Sequence, residues 1–272
     1  MREPVSRFDG LEEWLTTNMG REIESGVFGT PECSHPERLL AYRIGDLAMI
    51  RVVESLAKGV EGVVNRLSQD ELFSIFGSYE LARVTLGQGM SIWGPSLYYF
   101  GDATSFRSSN REIAVPMTSE EVARVVDAKV FWHCDWEKAV ANFGVVEGDR
   151  LVALTTVLPR GGSVFEIGVD VAPGSGLYGL GRSVMSAACR WILDQDGLIL
   201  ASSAQWNIPS VRLLRSVGLR YVLSELSGRP PPFKVPPQPL GKPIPEAEIY
   251  DIYPTWAQNK EIIRVEYSKH SR

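Results

Sequence analysis

A glycine-rich loop between a predicted strand and a predicted helix is the feature that most constrains the fold of this chain. Val164–Val171 is rich in branched residues and predicts a strand, and Arg182–Leu193 has the apolar spacing of a helix. The loop between them contains four glycines, Gly174, Gly176, Gly179 and Gly181. Successive backbone N–H groups of such a loop can converge on an anion, and the positive end of the helix dipole adds to the attraction. The segment favours a site for a phosphate-bearing ligand, with a flexible turn before an ordinary helix as the alternative.

The composition is that of a globular protein. The 272 residues suffice for one large domain or two ordinary ones, and 44% of them are hydrophobic and 22% charged. The formal net charge of −5 repels phosphate backbones, which argues against nucleic acid as a partner.

The spacing of the cysteines and the lack of long apolar runs indicate the cellular compartment. Cys33, Cys134 and Cys189 are odd in number and far apart, which fits neither a disulfide framework nor a zinc site. No run of about 18 apolar residues is present that could span a membrane, and the acidic segment Met1–Gly20 lacks the apolar core of a signal peptide. We therefore expect a cytoplasmic protein with neither a metal nor a membrane partner.

Residues 1–111 are predicted to form a mainly helical first part. Apolar residues recur every three or four positions from Glu37 to Leu86, and Ser68 with Glu71 has the form of a capping box. From Gly87 to Asn110, aromatic residues stand among turn formers, which predicts packing beneath a loop. The mixed order of the two halves leaves room for a diverged duplication.

Residues 112–226 are predicted to form an α/β unit. It begins with a short strand at Ile113–Met117 and a helix whose capping box is Thr118 with Glu121. Three further strands form an antiparallel meander before the glycine loop, and helices and strands alternate after it. The predicted segments are Phe143–Val146, Leu151–Val157, Val164–Val171, Arg182–Leu193, Leu198–Ser202, Pro209–Val217 and Leu219–Leu223. The predicted order is therefore β-α-β-β-β-α-β-α-β.

Residues 227–272 are predicted to form a proline-rich arm with two edge strands. Pro230–Pro245 is dense in proline, which favours an extended chain with few regular hydrogen bonds. Ile249–Tyr253 and Ile262–Tyr267 alternate apolar with polar residues, as half-buried strands do.

The glycines also satisfy a dinucleotide-binding pattern. Gly174, Gly176 and Gly179 fit G-x-G-x-x-G. A dinucleotide fold would place this motif after the first strand of a parallel sheet, with an acidic residue at the end of the next strand. Here the motif follows an antiparallel meander, and Leu198–Ser203 ends without an acid. A dinucleotide-binding protein is therefore kept only as a third alternative.

Two motifs together resemble the GCN5-related N-acetyltransferase (GNAT) superfamily. In that family a strand, a spacer and a proline precede R/Q-x-x-G-x-G/A, and here Val171–Pro173 precedes Gly176, Gly179 and Gly181. Further along the chain, the family's Asn, small residue and Gly-aromatic pair are matched by Asn207, Ser210 and Gly218, with Leu219 at the aromatic position. The resemblance covers roughly Glu112–Leu226. It implies a mixed, mostly antiparallel twisted sheet flanked by helices, with the same order of strands and helices as predicted above.

This sequence departs from the family pattern at two functional positions. Gly176 stands where the family has Arg or Gln, and Leu177 and Tyr178 replace the glycine and basic residue that are common next to it. Leu214 stands at the position where many members have a tyrosine that protonates the leaving thiolate. Tyr178 and Tyr221 are the possible substitutes, although buried tyrosines pack more often than they donate.

The resemblance implies acetyl-CoA as cosubstrate and a set of binding residues. The backbone of Val169, Asp170 and Val171 would face the acetyl carbonyl and the pantetheine arm. The pyrophosphate would bind the loop and the start of the following helix, that is Gly176, Leu177, Tyr178, Gly179, Leu180, Gly181 and Arg182, with Asn207 and Ser210 nearby. Glu166 resembles the glutamate that takes the amine proton in some members, and a surface glutamate is the alternative.

The resemblance thus implies a cytoplasmic acyltransferase that moves an acetyl group from acetyl-CoA to an amine of a small molecule or a protein. The first alternative is a non-catalytic acyl-CoA-binding or regulatory module that has kept the fold. The first part and the proline-rich arm are expected to narrow the acceptor side or to form a homodimer.

The three histidines, including the one beside Cys134, do not belong to a metal-binding or catalytic motif. His133, Cys134 and Asp135 are adjacent in sequence, so their side chains point in different directions and no partner stands at metal-ligand spacing. Trp132, His133 and Trp136 are expected either to line an acceptor pocket or to pack against the core. His35 and His270 have no neighbouring motif.

Overall fold

The structure is a computed structural model, and it describes residues 8–31, 38–174, 177–205 and 207–229. The positions that lie outside the described residues include Cys33, His35, Gly176, His270, the arm Pro230–Pro245 and the predicted strands Ile249–Tyr253 and Ile262–Tyr267.

The described residues form ten strands and seven helices. The strands are β1 Gly26–Thr30, β2 Leu39–Ile44, β3 Leu47–Val53, β4 Ser91–Gly101, β5 Val115–Met117, β6 Ala141–Glu147, β7 Arg150–Pro159, β8 Val164–Val171, β9 Leu198–Ala204 and β10 Arg220–Arg229. The helices are α1 Leu11–Met19, α2 Glu54–Val64, α3 Gln69–Leu72, α4 Ile75–Thr85, α5 Ser119–Val125, α6 Leu180–Leu193 and α7 Ile208–Ser216, with a short 3₁₀ turn at Leu86–Gln88.

All ten strands belong to one sheet, in the order β1-β3-β2-β10-β4-β9-β8-β7-β6-β5. Neighbouring strands run antiparallel except for two parallel pairs, β1 with β3 and β8 with β9. The predicted fold class, a mixed and mostly antiparallel sheet flanked by helices, is confirmed.

The element order predicted for the second part is also confirmed. From β5 to β10 the chain runs strand, helix, three strands, helix, strand, helix, strand. Both predicted capping boxes are present. The Ser68 and Thr118 side chains accept from the backbone N–H groups of Glu71 and Glu121, and the carboxylates of these glutamates accept from the backbone N–H groups of Ser68 and Thr118. These local signals therefore fix where α3 and α5 begin.

The helical prediction for the first part is wrong over Leu39–Val53. This stretch forms the hairpin β2–β3, closed by the two-residue turn Gly45–Asp46, with Gly45 at φ 57°. Its apolar residues face both sides of the sheet, so they form a nearly continuous run whose spacing does not distinguish a strand from a helix. Gly45 therefore forms part of the turn of a hairpin.

The aromatic segment after Gly87 is predicted to pack beneath a loop, and this prediction is wrong. In the structure most of the segment forms β4, a central strand of the sheet. β4 pairs antiparallel with β9 on one side and with β10 on the other. A strand from the first part of the chain therefore lies inside the sheet of the second part, and the sheet is continuous across residue 112.

Helices cover both faces of the sheet. On one face, which we call the α1 face, α1 packs against β2, β4 and β9 through a cluster that includes Trp14, Tyr42 and Phe100. On the other face, which we call the α6 face, α2 and α4 cover β2 and β3, while α6 and α7 cover β8 and β9. Because strand side chains alternate between faces, each residue of β8 and β9 can be assigned to one of these two sides.

Within the described residues, every helix falls short of the length and apolar character that a bilayer span requires.

Gly218, part of the second motif, is predicted to be the least replaceable of the turn glycines. Its φ is 92°, and a Cβ atom there would lie 1.9 Å from the carbonyl oxygen of Ser105. Gly148 also has a positive φ, 62°, but a Cβ atom there would meet open space. We expect Gly218→Ala to lower the free energy of unfolding by roughly 3 kcal/mol or more, since it combines strain with a clash, and Gly148→Ala by about 1–2 kcal/mol from strain alone. Urea unfolding of both variants measures the difference, and equal losses would contradict this account.

Candidate functional site

A cleft opens in the sheet where β8 and β9 diverge. The two parallel strands are paired at only three positions, which end at Glu166 opposite Leu200. Beyond that point β8 pairs only with β7, and β9 pairs only with β4. The backbone of Ile167–Val171 therefore has one edge with no strand beside it, and its outward N–H and C=O groups can bond a ligand.

The cleft has a volume of about 1530 Å³ and is reached by residues from both faces of the sheet. On the α6 face it is bordered by the start of α6 and by α7, and on the α1 face by α1, β4 and β10. Its lining includes all the sequence-predicted site residues that the structure describes: Glu166, Val169, Asp170, Val171, Leu177, Tyr178, Gly179, Leu180, Gly181, Arg182, Asn207 and Ser210.

The start of α6 has the features of an anion site. Gly179 precedes the helix with φ 74°, and no side chain caps the first turn. Among the described residues, no side chain bonds the first N–H groups of this 14-residue helix, and these groups carry the positive end of the helix dipole. Tyr178 is 87% exposed, whereas Leu180 is buried and anchors the helix in the core. Gly176, the position that departs from the family, lies outside the described residues.

Arg182 lines the cleft, and one of its donors has no partner among the described residues. Its Nη2 atom donates to the carbonyl oxygen of Ser108 at 3.2 Å, which holds the guanidinium in place. Its Nε–H is buried and has no hydrogen-bond partner among the described residues. A buried donor without an acceptor is costly, so a ligand oxygen at this point would stabilise the site.

Asn207 and Ser210 border the cleft but already have a structural role. The Asn207 side chain accepts a hydrogen bond from the Ser210 N–H at 3.2 Å and caps α7. The small residue three positions after the Asn is therefore explained by helix capping as well as by ligand binding.

The Asp170 side chain lies on the α1 face and holds the loop that contains His133. Its Oδ2 atom accepts from the His133 backbone N–H at 2.8 Å, and its Oδ1 atom lies 2.7 Å from His133 Nδ1. This pair fixes the imidazole ring at the rim of the cleft, next to Trp132. Trp136 does not line the cleft but packs against a core cluster around Phe131. Trp132 and His133 therefore line the cleft, whereas Trp136 packs against the core.

Glu166 stands where the two strands separate, on the α1 face. Its Oε2 atom is ion-paired with Arg160, and its Oε1 atom lies 3.4 Å from Ser202 Oγ, which donates to it. The side chain is 19% exposed. The carboxylate is therefore in place to receive a proton, but it shares its charge with a neighbouring guanidinium.

Sequence reasoning missed a second carboxylate in the same cleft. Glu225 on β10 is buried, and Tyr98 on β4 donates its phenolic hydrogen to Glu225 Oε2 at 2.6 Å. Burial raises the pKa of Tyr98 well above its usual range, and the negative charges of Glu225 and Glu166 raise it further. Tyr98 is therefore a protonated hydrogen-bond donor. The pair is 127 residues apart in sequence, and only the pairing of β4 with β10 brings it together.

Neither tyrosine named as a substitute general acid is well placed for that role. Leu214 is 1% exposed and fills the core beneath α7. Tyr178 projects into solvent, and the Tyr221 hydroxyl lies 2.8 Å from Ser224 Oγ beside the ring of Tyr99. The site therefore offers no tyrosine at the family's position.

The two described cysteines are buried thiols. Cys134 Sγ donates to the carbonyl oxygen of Leu154, and burial together with the charge of Asp170 raises the pKa of this thiol far above its usual range. Burial raises the pKa of Cys189 to about 12. Among the described residues, no three His, Cys, Asp or Glu side chains come together as metal ligands would.

Comparison with known proteins gives a likeness of fold. No protein-family model and no curated protein matches the chain. Among solved structures, a GNAT-family protein from Novosphingobium aromaticivorans matches at 18% identity and TM-score 0.43, over 52% of this chain and 66% of its own. An acetyltransferase from the GNAT family of Colwellia psychrerythraea matches at 13% identity and TM-score 0.38, over 54% of this chain and 59% of its own.

A GCN5-related N-acetyltransferase-like protein from Streptococcus suis matches at 14% identity and TM-score 0.41, over 57% of this chain and 69% of its own. The matches cover less than two thirds of the first two GNAT proteins, and identities this low assign neither an activity nor a substrate to this chain.

Removing the Tyr98 hydroxyl is predicted to destabilise the cleft floor. Tyr98→Phe keeps the ring but takes the donor away from a buried carboxylate, so we expect a loss of about 1–3 kcal/mol in the free energy of unfolding. Tyr221→Phe is the matched control, because its hydroxyl is partly exposed and bonds an uncharged serine. Denaturant unfolding of the two variants gives the comparison, and an equal or larger loss for Tyr221→Phe would show that the buried pair does not matter.

The buried thiols are predicted to be unreactive in the folded protein. Because their pKa values are raised, both thiols are protonated near pH 8, and only the thiolate reacts with iodoacetamide. We expect Cys134 and Cys189 to be alkylated more than about 100-fold more slowly than in the urea-unfolded chain, with rates that rise with pH. Peptide mapping by mass spectrometry resolves each site, and rapid labelling of native Cys134 would contradict its placement.

Proposed function

We propose that this protein is an acyltransferase that transfers an acetyl group from acetyl-CoA to an amine. The observation that carries the proposal is the divergence of β8 and β9, because it places an open strand edge next to an uncapped helix N-terminus in one cleft. An extended thioester with a pyrophosphate at one end needs both features: a strand edge for the amide-bearing arm and N–H donors for the phosphates.

The residues present fit coenzyme A on the α6 face. The pyrophosphate would bind at the N–H groups of Leu180, Gly181 and Arg182, and the Arg182 guanidinium, which lines the same cleft, would add a positive charge. The pantetheine arm would lie along the open edge of Val169–Val171. The loss of the family's Arg or Gln at Gly176 costs little in this arrangement, because backbone N–H groups supply most of the binding.

The amine acceptor would reach the thioester from the α1 face. The amine nitrogen attacks the carbonyl carbon, the C–S bond breaks, and the nitrogen gives up a proton while the thiolate leaves. We propose that Glu166 accepts that proton, directly or through a water molecule, since it lies at the point where the cleft passes between the strands. Arg160 holds the carboxylate in position through the ion pair.

The leaving thiolate receives no proton from a tyrosine at position 214. A thiol with an unperturbed pKa of about 8.5 is a tolerable leaving group without a general acid, so solvent would protonate it after it leaves. This arrangement is compatible with turnover, and it leaves the binding module that has lost catalysis as the competing function.

The first experiment is calorimetric titration with acetyl-CoA, coenzyme A and NAD. We expect micromolar binding of acetyl-CoA and coenzyme A and none of NAD. Arg182→Ala should weaken both about threefold to tenfold, because one phosphate donor is lost. Arg190→Ala on the same helix is the control, since it is ion-paired with Glu112 away from the cleft. Binding of NAD alone would overturn the proposal in favour of the dinucleotide alternative.

Glu166→Gln separates the enzyme from the binding module. Since glutamine cannot take a proton, we expect kcat to fall by about 100-fold or more while acetyl-CoA affinity stays within about twofold. Glu147→Gln, at the exposed end of β6, is the control for loss of one negative charge. Unchanged turnover of Glu166→Gln would remove this residue from the mechanism, and the imidazole held by Asp170 would be the next base to test.

A further inference from the structure

The ion pair at the gap between β8 and β9 places two opposite charges side by side. Arg160 directly follows β7 and bonds Glu166 Oε2 through both its Nε and its Nη2 atoms. Within the described residues its third nitrogen, Nη1, has no partner, and the side chain is 48% exposed. Both residues line the cleft. The guanidinium therefore has room for a second anion while it holds the carboxylate of Glu166.

Trp14 lies near Arg160 and supplies an independent sign of a ligand. The two residues line the cleft together, and they also line a small recess next to the turn Gly161–Ser163. Trp14 is 6% exposed, and its indole Nε1–H is buried without a hydrogen-bond partner among the described residues. A buried indole N–H normally finds an acceptor. The group that would complete this side of the site is therefore an acceptor of hydrogen bonds.

Adjacent opposite charges match a ligand that carries both charges itself. A simple anion bound to Arg160 would stand next to the negative charge of Glu166, which would repel it. A simple amine at Glu166 would leave the Trp14 Nε1–H without an acceptor. An α-amino acid avoids both faults, because its amine and its carboxylate are attached to the same carbon atom.

The remaining negative charges do not stand next to Arg160. Glu13, the carboxylate of the recess, does not line the cleft. Glu225 lines the cleft from β10, which is three positions from β8 in the sheet, and it accepts a hydrogen bond from Tyr98. At about 4.8 Å between neighbouring strands, the axes of β8 and β10 are roughly 14 Å apart. The side of the cleft at Arg160 is thus the side where a carboxylate of a ligand is stabilised.

Aromatic rings line the α1 face of the cleft next to the ion pair. The ring centroid of Trp14 lies 5.9 Å from that of Tyr42 and 6.3 Å from that of Tyr98, and all three residues line the cleft. Trp14 belongs both to these rings and to the recess beside Arg160. A ligand whose carboxylate is at Trp14 would thus place its side chain against aromatic surface, which favours an apolar side chain.

We propose that the acceptor is a free α-amino acid with an apolar side chain, whose carboxylate binds Arg160 and the Trp14 Nε1–H while its amine lies at Glu166. The inference rests on the proposed function, since it names the substrate class of the same site. A free amino acid is favoured over a protein amine, because neither a lysine side chain nor the N-terminus of a chain carries a free carboxylate next to its amine.

The test is calorimetry with L-phenylalanine and phenethylamine in the absence of acetyl-CoA. Phenethylamine is phenylalanine without its carboxylate, so the ratio of the two affinities isolates that group. We expect the wild-type protein to bind phenylalanine at least about tenfold more tightly, which corresponds to about 1.4 kcal/mol. Arg160→Gln should reduce this ratio to less than about threefold. Arg150→Gln, at the exposed start of β7, is the control for loss of one positive charge and should keep the ratio.

Trp14→Phe tests the second contact, since it keeps an aromatic ring and removes the N–H donor. We expect the ratio to fall at least about threefold. Trp191→Phe is the matched control and should leave the ratio unchanged, because Trp191 is on α6 and does not line the cleft. If Trp14→Phe fails to fold by circular dichroism, the comparison of Arg160→Gln with Arg150→Gln decides alone.

Equal binding of the two probes by the wild-type protein, or binding of neither, would overturn the inference. A ratio that survives Arg160→Gln, or that survives Trp14→Phe in a folded protein, would overturn it as well. Acetyl transfer to phenethylamine as fast as to phenylalanine would refute the amino-acid site and leave the proposed acetyl transfer standing. A preference for phenylalanine in a protein that does not bind acetyl-CoA would support the amino-acid site and refute the acetyl transfer, which keeps the two failures distinct.

Discussion

The early end of the pairing between β8 and β9 is the constraint on which the rest of the site depends. A strand that loses its neighbour leaves backbone N–H and C=O groups unpaired, and such groups are costly inside a protein unless something else bonds them. Both strands keep their other neighbours, β7 and β4, so the sheet survives the gap. The gap joins the two faces of the sheet, and a ligand on one face can thus meet a ligand on the other.

The two faces of the gap draw on different parts of the chain. The α6 face comes from the second part, through the end of β8, the start of α6 and α7. The α1 face combines α1, β2 and β4 of the first part with β10 and with the side chains that β8 directs to that face. β4 lies between β9 and β10 and brings Tyr98 to the cleft floor. The first part of the chain is thus an integral wall of the candidate site.

A structural feature could be predicted from the sequence where it depends on residues that are close together in the chain. The strand, glycine loop and helix of residues 164–193 were predictable because each depends on residues near it in sequence. The hairpin β2–β3 was not, since a strand buried on both faces has no alternation to distinguish it from a helix. The pair of Tyr98 and Glu225 depends on a strand insertion that joins distant segments, and no spacing in the sequence announces it. The loop position Gly176 and the proline-rich arm lie outside the described residues.

Hydrogen exchange with and without acetyl-CoA tests the central claim, that the gap between β8 and β9 binds the thioester, most directly. If the claim holds, acetyl-CoA slows exchange at the open-edge amides of Ile167–Val171 and at the first turn of α6, around Leu180–Arg182. Amides in the exposed turn between β6 and β7 should exchange at an unchanged rate. Protection confined to other parts of the sheet, or none at saturating acetyl-CoA, would contradict the claim.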